Sequence, residues 1–242
     1  MIWGYSKDNY ERYGLKIPIN LDISGYPHML LAGASGSGKS FALLFLIGKL
    51  LQRYPDIVLY ICDFKKSDEF AFLSEYEHYF AGRECYSGVI EYYQQFTEMR
   101  EAGHNNRRFL LIFDEYPAFI NYLQTQDKTN KTKFANDVLG AVAEVLMLGR
   151  GIKFGIWIVV QRADSTLFSN GARDNFMVVI GLGRLSKEQK GMIFTGQDIP
   201  DYIMDKGEGL ILADGKELQT VKYPLISDLQ DWKRHIISIL RH

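Results

Sequence analysis

Five short runs of this chain are apolar at almost every position: 29–32, 57–62, 109–113, 155–160 and 177–182. Strands with one wet face alternate apolar and polar residues, so unbroken runs of this length predict strands covered on both sides. Between them lie stretches with helical spacing at 39–52, 89–102 and 135–148, the last carrying Val138, Leu139, Val142, Val145 and Leu146 on one face. Strand and helix in alternation predict an α/β fold, with a mostly parallel central sheet and helices on both of its faces. Toward the end, 209–212 and 218–223 flank Asp214 and Gly215, a hairpin signal with Asp-Gly at the turn. Residues 228–242 then carry Leu229, Trp232, Ile236, Ile237 and Leu240 at helical spacing, an amphipathic closing helix.

A chain of 242 residues can bury one α/β core undivided, since such folds reach about 250 residues. The expected organisation is a single domain over 1–242. Residues 1–26 form a small β lead-in beside the main site, 27–226 the core and 227–242 the closing helix. No internal repeat or low-complexity segment is visible.

Residues 33–40 read G-A-S-G-S-G-K-S, between the strand-like run 29–32 and the helix-like run behind it. This is the GxxxxGK[ST] phosphate loop in its expected context. Gly33, Gly36 and Gly38 let the backbone curl so that successive N–H groups face a phosphate chain, and the helix behind adds its positive end. Lys39 then reaches the β- and γ-phosphates, and the Ser40 hydroxyl ligates Mg²⁺. The expected nucleotide contacts are Gly33, Ala34, Ser35, Gly36, Ser37, Gly38, Lys39, Ser40 and Phe41.

The run 109–115 reads F-L-L-I-F-D-E and delivers two carboxylates at the carboxyl end of a buried strand, where open α/β sheets bind ligands. Behind a complete phosphate loop this is a Walker B element. Asp114 would hold Mg²⁺, and Glu115 would polarise the attacking water. I-V-V-Q-R at 158–162 places Gln161 at another strand end, where a neutral amide suits a γ-phosphate sensor. Asp63, Phe64, Lys65 and Lys66 follow a third strand, again at a carboxyl end, which reads as a site loop with a solvated loop as the alternative. Phosphoryl transfer also calls for positive charge at the γ-phosphate, often an arginine supplied by a neighbouring subunit. Arg150, Arg173 and Arg184 are the candidates.

These elements occur in the order P-H-M-L-L-A-G-A-S-G-S-G-K-S, L-Y-I-C-D-F-K-K, L-L-I-F-D-E-Y-P-A-F and G-R-G-I-K-F-G-I-W-I-V-V-Q-R-A. From about Ile19 to Tyr223 the chain resembles the FtsK/SpoIIIE branch of the FtsK–HerA superfamily. Pro27 and His28 match the Pro-His before that family's first core strand. Asp63 and Lys65 fall on its D-P-K signature, and Gln161 and Arg162 on its T-Q-R-P strand. The segment 170–175 and the terminal hairpin extend the likeness. The resemblance implies a RecA-like ATPase that forms a hexameric ring and moves double-stranded DNA, with ATP and Mg²⁺ handled by Lys39, Ser40, Asp114, Glu115 and Gln161. Arg150 resembles the arginine presented to the neighbouring site. Two residues depart from the pattern: Phe64 and Ala163 stand where the family has proline.

The formal net charge of −1 excludes a globally basic nucleic-acid binder, so any DNA surface is local. The polar stretch 121–134, read as a loop, holds Lys128, Lys131 and Lys133 against Asp127; it suits a channel-facing phosphate contact and a solvated surface equally. Lys187 and Lys190 form a second patch. Cys62 and Cys85 are the only cysteines, and neither has metal-ligand spacing, which fits reduced thiols in the cytoplasm. No stretch reaches the roughly 18 apolar residues of a membrane span, and the N-terminus carries no signal pattern. Membrane attachment would therefore need a recruiting partner, of relaxosome type or on the membrane. The membrane-spanning region, linker and winged-helix module of chromosome translocases are not seen, and the expectation is a motor core of a plasmid, phage or other mobile element. A secretion motor of type VII kind and a nucleotide-switched assembly protein with little hydrolysis are the alternatives.

Overall fold

The structure is a computed structural model and describes residues 1–163, 172–199 and 204–241, with 172 and 173 in backbone only. In chain order the elements are β1 (Ile2–Ser6), α1 (Lys7–Tyr13), β2 (Pro18–Asn20), β3 (Met29–Gly33), α2 (Lys39–Arg53), β4 (Val58–Asp63), β5 (Tyr79–Ala81) and α3 (Cys85–Ala102). There follow β6 (Phe109–Asp114), α4 (Tyr116–Asn130), α5 (Phe134–Leu148), β7 (Phe154–Val160), β8 (Val178–Leu182), α6 (Lys187–Ile193), β9 (Glu208–Ala213), β10 (Gln219–Lys222) and α7 (Leu229–Leu240). The described strands form one sheet in the order β2-β1-β10-β9-β8-β3-β7-β6-β4-β5.

From β8 to β5 every neighbouring pair is parallel. Side chains alternate across these strands into two apolar layers. Phe154, Ile156, Ile158 and Val160 of β7 pack with residues of α3, α4 and α5, while Trp157 and Val159 join α2 and Ile236 of α7 on the other face. That double burial explains why the strands read as continuous apolar runs. It confirms the α/β, RecA-like layout.

The hairpin of β9 and β10 is present, and it joins the main sheet: β9 pairs antiparallel with β8, and β1 with β10. The lead-in extends this antiparallel edge as β1 and β2, and it also contains a helix, α1, held by the Ser6 cap and by Gly14 at φ 66°. Its place is at the edge of the sheet, with Trp3 against Trp157 at 5.4 Å between ring centroids. The closing helix α7 lies on α2, where Trp232 Nε1 donates to Leu44 O at 2.9 Å and its ring covers Gly48.

The stretch 121–134 is not a loop. Tyr116, Phe119, Ile120 and Leu123 are buried at spacings of three and four, so the apolar half of α4 docks on the sheet and the polar half follows as exposed helix to Asn130. A short turn leads into α5, whose first N–H groups at Phe134 and Ala135 are taken by Asp127 at 3.0 and 2.8 Å.

Candidate functional site

The parallel strands end together on one side of the sheet, and four of those ends carry polar groups. After β3, Gly36 (φ 81°) and Gly38 (φ 96°) hold left-handed backbone that residues with a Cβ rarely adopt, giving the loop its curl. The Ser37 N–H closes a turn on Ala34 O at 3.2 Å. Lys39 folds back over this loop, donating to Gly33 O at 2.6 Å and Ala34 O at 3.1 Å. Burial lowers its pKa, and the charges of Glu115 and Asp114 work against that shift.

At the end of β4, Asp63 is fully buried. Its Oδ2 accepts from the Ser67 N–H (2.7 Å), the Ser67 hydroxyl (3.2 Å) and the Tyr79 hydroxyl (3.0 Å), while Oδ1 is buried without a partner. Asp63 stands in register with Asp114 on the neighbouring strand. Asp114 is pushed up to about 7, first by burial and then by the charges of Glu115 and Asp63, with Lys65 and Lys39 partly offsetting them. Crowded carboxylates in a poorly hydrated pocket disfavour ionisation unless a cation joins them.

Glu115 sits at φ 60°, ψ 40° as the N-cap of α4, pinned by its own N–H to Val159 O at 3.1 Å. This uncommon conformation for a residue with a side chain aims the carboxylate across the strand ends. Its Oε1 accepts from Lys65 Nζ at 2.8 Å and from Gln161 Nε2 at 3.0 Å. Thus β3, β4, β6 and β7 contribute Lys39, Lys65, Asp114 with Glu115, and Gln161 to one place. The grouping of Lys65 with Glu115 was not readable from spacing; it depends on two strands lying side by side.

Both departures from proline find local reasons. Phe64 packs on Phe119 and Tyr122 of α4, at 5.3 and 5.5 Å between centroids. Ala163 is gripped at both backbone groups by the buried amide of Gln189: its N–H donates to Oε1 at 2.9 Å, and its carbonyl accepts from Nε2 at 3.1 Å. Proline there has no N–H to give.

Arg150 lies elsewhere. It follows α5 in a short 3-10 turn, Gly149–Ile152, at the amino ends of the strands, on the far side of the sheet from Lys39. There it lines a cavity of about 240 Å³ with Arg108, Lys153 and Pro27. Arg184 follows β8 at the phosphate-loop side, and the Arg173 side chain lies outside the described residues, as do 170 and 171. Lys187 and Lys190 line a separate cavity with Arg184. Lys128, Lys131 and Lys133 cluster around the end of α4 and the start of α5. A helix of 15 residues puts them about 22 Å from Glu115. The 205–208 turn, which touches the phosphate loop, carries no sequence signal beyond the single Gly207.

A glycine-rich loop between β3 and α2, with paired acids at the end of β6, defines a RecA-like P-loop NTPase fold. Residues 11–109 match the model of the FtsK/SpoIIIE family. The FtsK domain-containing protein YdcQ of Bacillus subtilis (strain 168) is 27% identical over 210 residues, covering 78% of this chain and 41% of that protein. The chain therefore spans less than half of that relative's length. The conjugation coupling protein TcpA of pCW3, in its monomer form with ATPgS, superposes with a TM-score of 0.73 at 22% identity, over 93% of this chain and 68% of that one. The cytoplasmic domain of the type VII secretion ATPase EccC from Thermomonospora curvata gives 0.69 at 18% identity, over 100% of this chain and 31% of that one. Among the described residues no helix is long and apolar enough to cross a membrane.

Proposed function

We propose that residues 1–242 are one motor domain that hydrolyses ATP and uses the energy to move double-stranded DNA, as a cytoplasmic ring hexamer serving a mobile element, plasmid or phage. The observation that carries the hydrolytic part is the pair of contacts on Glu115 from Lys65 and Gln161. A carboxylate held by one cation and one amide at the strand ends is fixed in orientation, as a base for water requires. In this reading the loop 33–41 cradles the phosphates and Lys39 leaves Gly33 and Ala34 for the β- and γ-phosphates. A water oxygen attacks the γ-phosphorus, the bond to ADP breaks, and Glu115 takes the proton. Gln161, bonded to the same carboxylate, reports the loss of the γ-phosphate to β7.

Ser40 and Asp114 suit Mg²⁺: hard oxygen donors, one of them a carboxylate whose ionisation is disfavoured until a cation arrives. Bound there, the ion would neutralise charge on the phosphates. Arg150 does not reach its own site, and the role proposed for it is the arginine presented to a neighbour's. Lys128, Lys131 and Lys133 are the proposed DNA contacts, now as an exposed helix end rather than a loop. The likeness to TcpA, a conjugation coupling protein, favours a conjugation context, to which the proposal adds a recruiting partner on the membrane or of relaxosome type; the likeness to EccC favours the second reading, a protein-secretion motor.

ATPase rates with and without long double-stranded DNA separate these. DNA should stimulate turnover, Lys39→Ala should abolish it, and Glu115→Gln should lower kcat by about 10²- to 10⁴-fold while nucleotide binding persists. In mixed rings, Arg150→Ala should silence only the sites next to the substituted subunit. Turnover indifferent to DNA, at concentrations that span assembly, would sink the translocase reading in favour of the second.

A further inference from the structure

Glu208 is 3% exposed and has no part in the chemistry above. Its Oε1 accepts from Lys222 Nζ at 2.6 Å, and its Oε2 accepts the Asp205 N–H at 3.1 Å and lies 3.7 Å from Lys7 Nζ. A buried carboxylate is retained when it is paired and hydrogen-bonded in this way. The pairing draws α1, β10 and the turn before β9 together.

That turn, Asp205 to Gly207, is tied down at each backbone group that follows. The Glu208 N–H donates to Asp205 O (3.0 Å), the Gly183 N–H to Glu208 O (2.7 Å) and the Tyr223 N–H to Gly207 O (2.8 Å). The Gly207 N–H reaches the phosphate loop itself, donating to Ser37 O at 2.9 Å. The approach is so close that a Cβ on Gly38 would stand 2.9 Å from the Gly207 nitrogen and 3.4 Å from Lys206 Cγ. The stem of Lys206 therefore begins directly over Gly38, and the residue is exposed. A polyphosphate in the loop would lie within reach of a cation approaching from the side opposite α2.

We propose that Lys206 is a second phosphate-contacting cation of the nucleotide site, carried over the phosphate loop by a strap that Glu208 anchors, and that its ligand is the polyphosphate of a nucleoside di- or triphosphate. The proposal rests on the nucleotide-binding reading above. Lys39 and Lys206 then grip the phosphates from opposite sides, and the hairpin edge of the sheet becomes part of the ligand's binding energy.

Equilibrium titration with fluorescent ADP and a non-hydrolysable fluorescent ATP analogue tests it, with melting temperature as the reading of the fold. Lys206→Ala should weaken both ligands about fivefold at low salt, the scale of an exposed ion pair, and the loss should shrink at high salt. Lys206→Arg should restore affinity. Glu208→Gln should weaken binding alone and add little to Lys206→Ala. Native affinity in Lys206→Ala, beside lost binding in Lys39→Ala, overturns the strap contact and leaves the nucleotide site standing. A full further loss from Glu208→Gln in the Lys206→Ala background overturns the anchoring role. A wild-type chain that binds neither ligand overturns both the strap and the reading beneath it.

Discussion

His28 sits between β3 and the start of β7 with no exposed surface. Its Nδ1 accepts the Ile156 N–H at 3.1 Å, so the ring carries its one proton on Nε2, which has no partner. A second proton would face the Ile156 N–H in a dry site beside Arg150. Burial first, and the Arg150 charge second, lower the pKa to about 3 from an ordinary 6.5. The folded chain thus keeps His28 neutral where the unfolded chain protonates it. Its contribution to stability is fully present above pH 6.5 and is lost as pH falls toward 3. From pH 7 to pH 5 the loss is about 2 kcal/mol by proton linkage.

Asp114 works in the opposite sense, because a folded pKa raised to about 7 favours the native state as pH falls. The total acid response therefore mixes two signs, and the difference between proteins isolates His28. His28→Asn keeps an acceptor for Ile156 and cannot titrate. Urea unfolding of both proteins, nucleotide-free in chelator at pH 7 and pH 5, should show the wild type losing about 2 kcal/mol more than the variant on acidification. An identical stability difference at both pH values would refute the buried neutral histidine.

Two further outcomes follow from the site. Lys65→Ala removes a cation whose side chain is 44% exposed, so stability should fall by less than about 1 kcal/mol; kcat should nevertheless drop several-fold as Glu115 loses its fixed partner. An unchanged kcat would detach Lys65 from the chemistry. Ala163→Pro takes the N–H from the buried Gln189 amide and should cost about 1–3 kcal/mol in thermal or urea unfolding, although the family pattern has proline there. Native stability would mean that the Gln189 clamp is dispensable.

Short-range features were legible in the residues themselves. The curl of 33–40 needs glycines at fixed spacing, and paired acids after a buried strand need only that strand, so Lys39, Asp114, Glu115 and Gln161 were readable one at a time. The stretch 121–134 departs from the expected loop because its polar composition hides a helix that only docking of Tyr116, Phe119, Ile120 and Leu123 carries through it. Pairings across strands were beyond reach for a different reason. Which ends lie side by side is decided by the sheet order, which sets Lys65 against Glu115 and sends Arg150 to the opposite edge. The strap is the clearest case: Gly207 and Ser37 lie 170 positions apart in the chain (207 less 37), and antiparallel pairing of β9 with β8 brings them into contact.

By itself the sequence determined the class of the protein, because a phosphate loop and the acids behind a buried strand are local arrangements of backbone and side chain. Tertiary structure alone decided how those groups are wired, since a hydrogen bond between residues far apart in sequence exists only once the strands have taken their order. The phosphate loop belongs to the first kind, and the Lys65–Glu115 pair, the Gln189 clamp and the Glu208-anchored turn belong to the second.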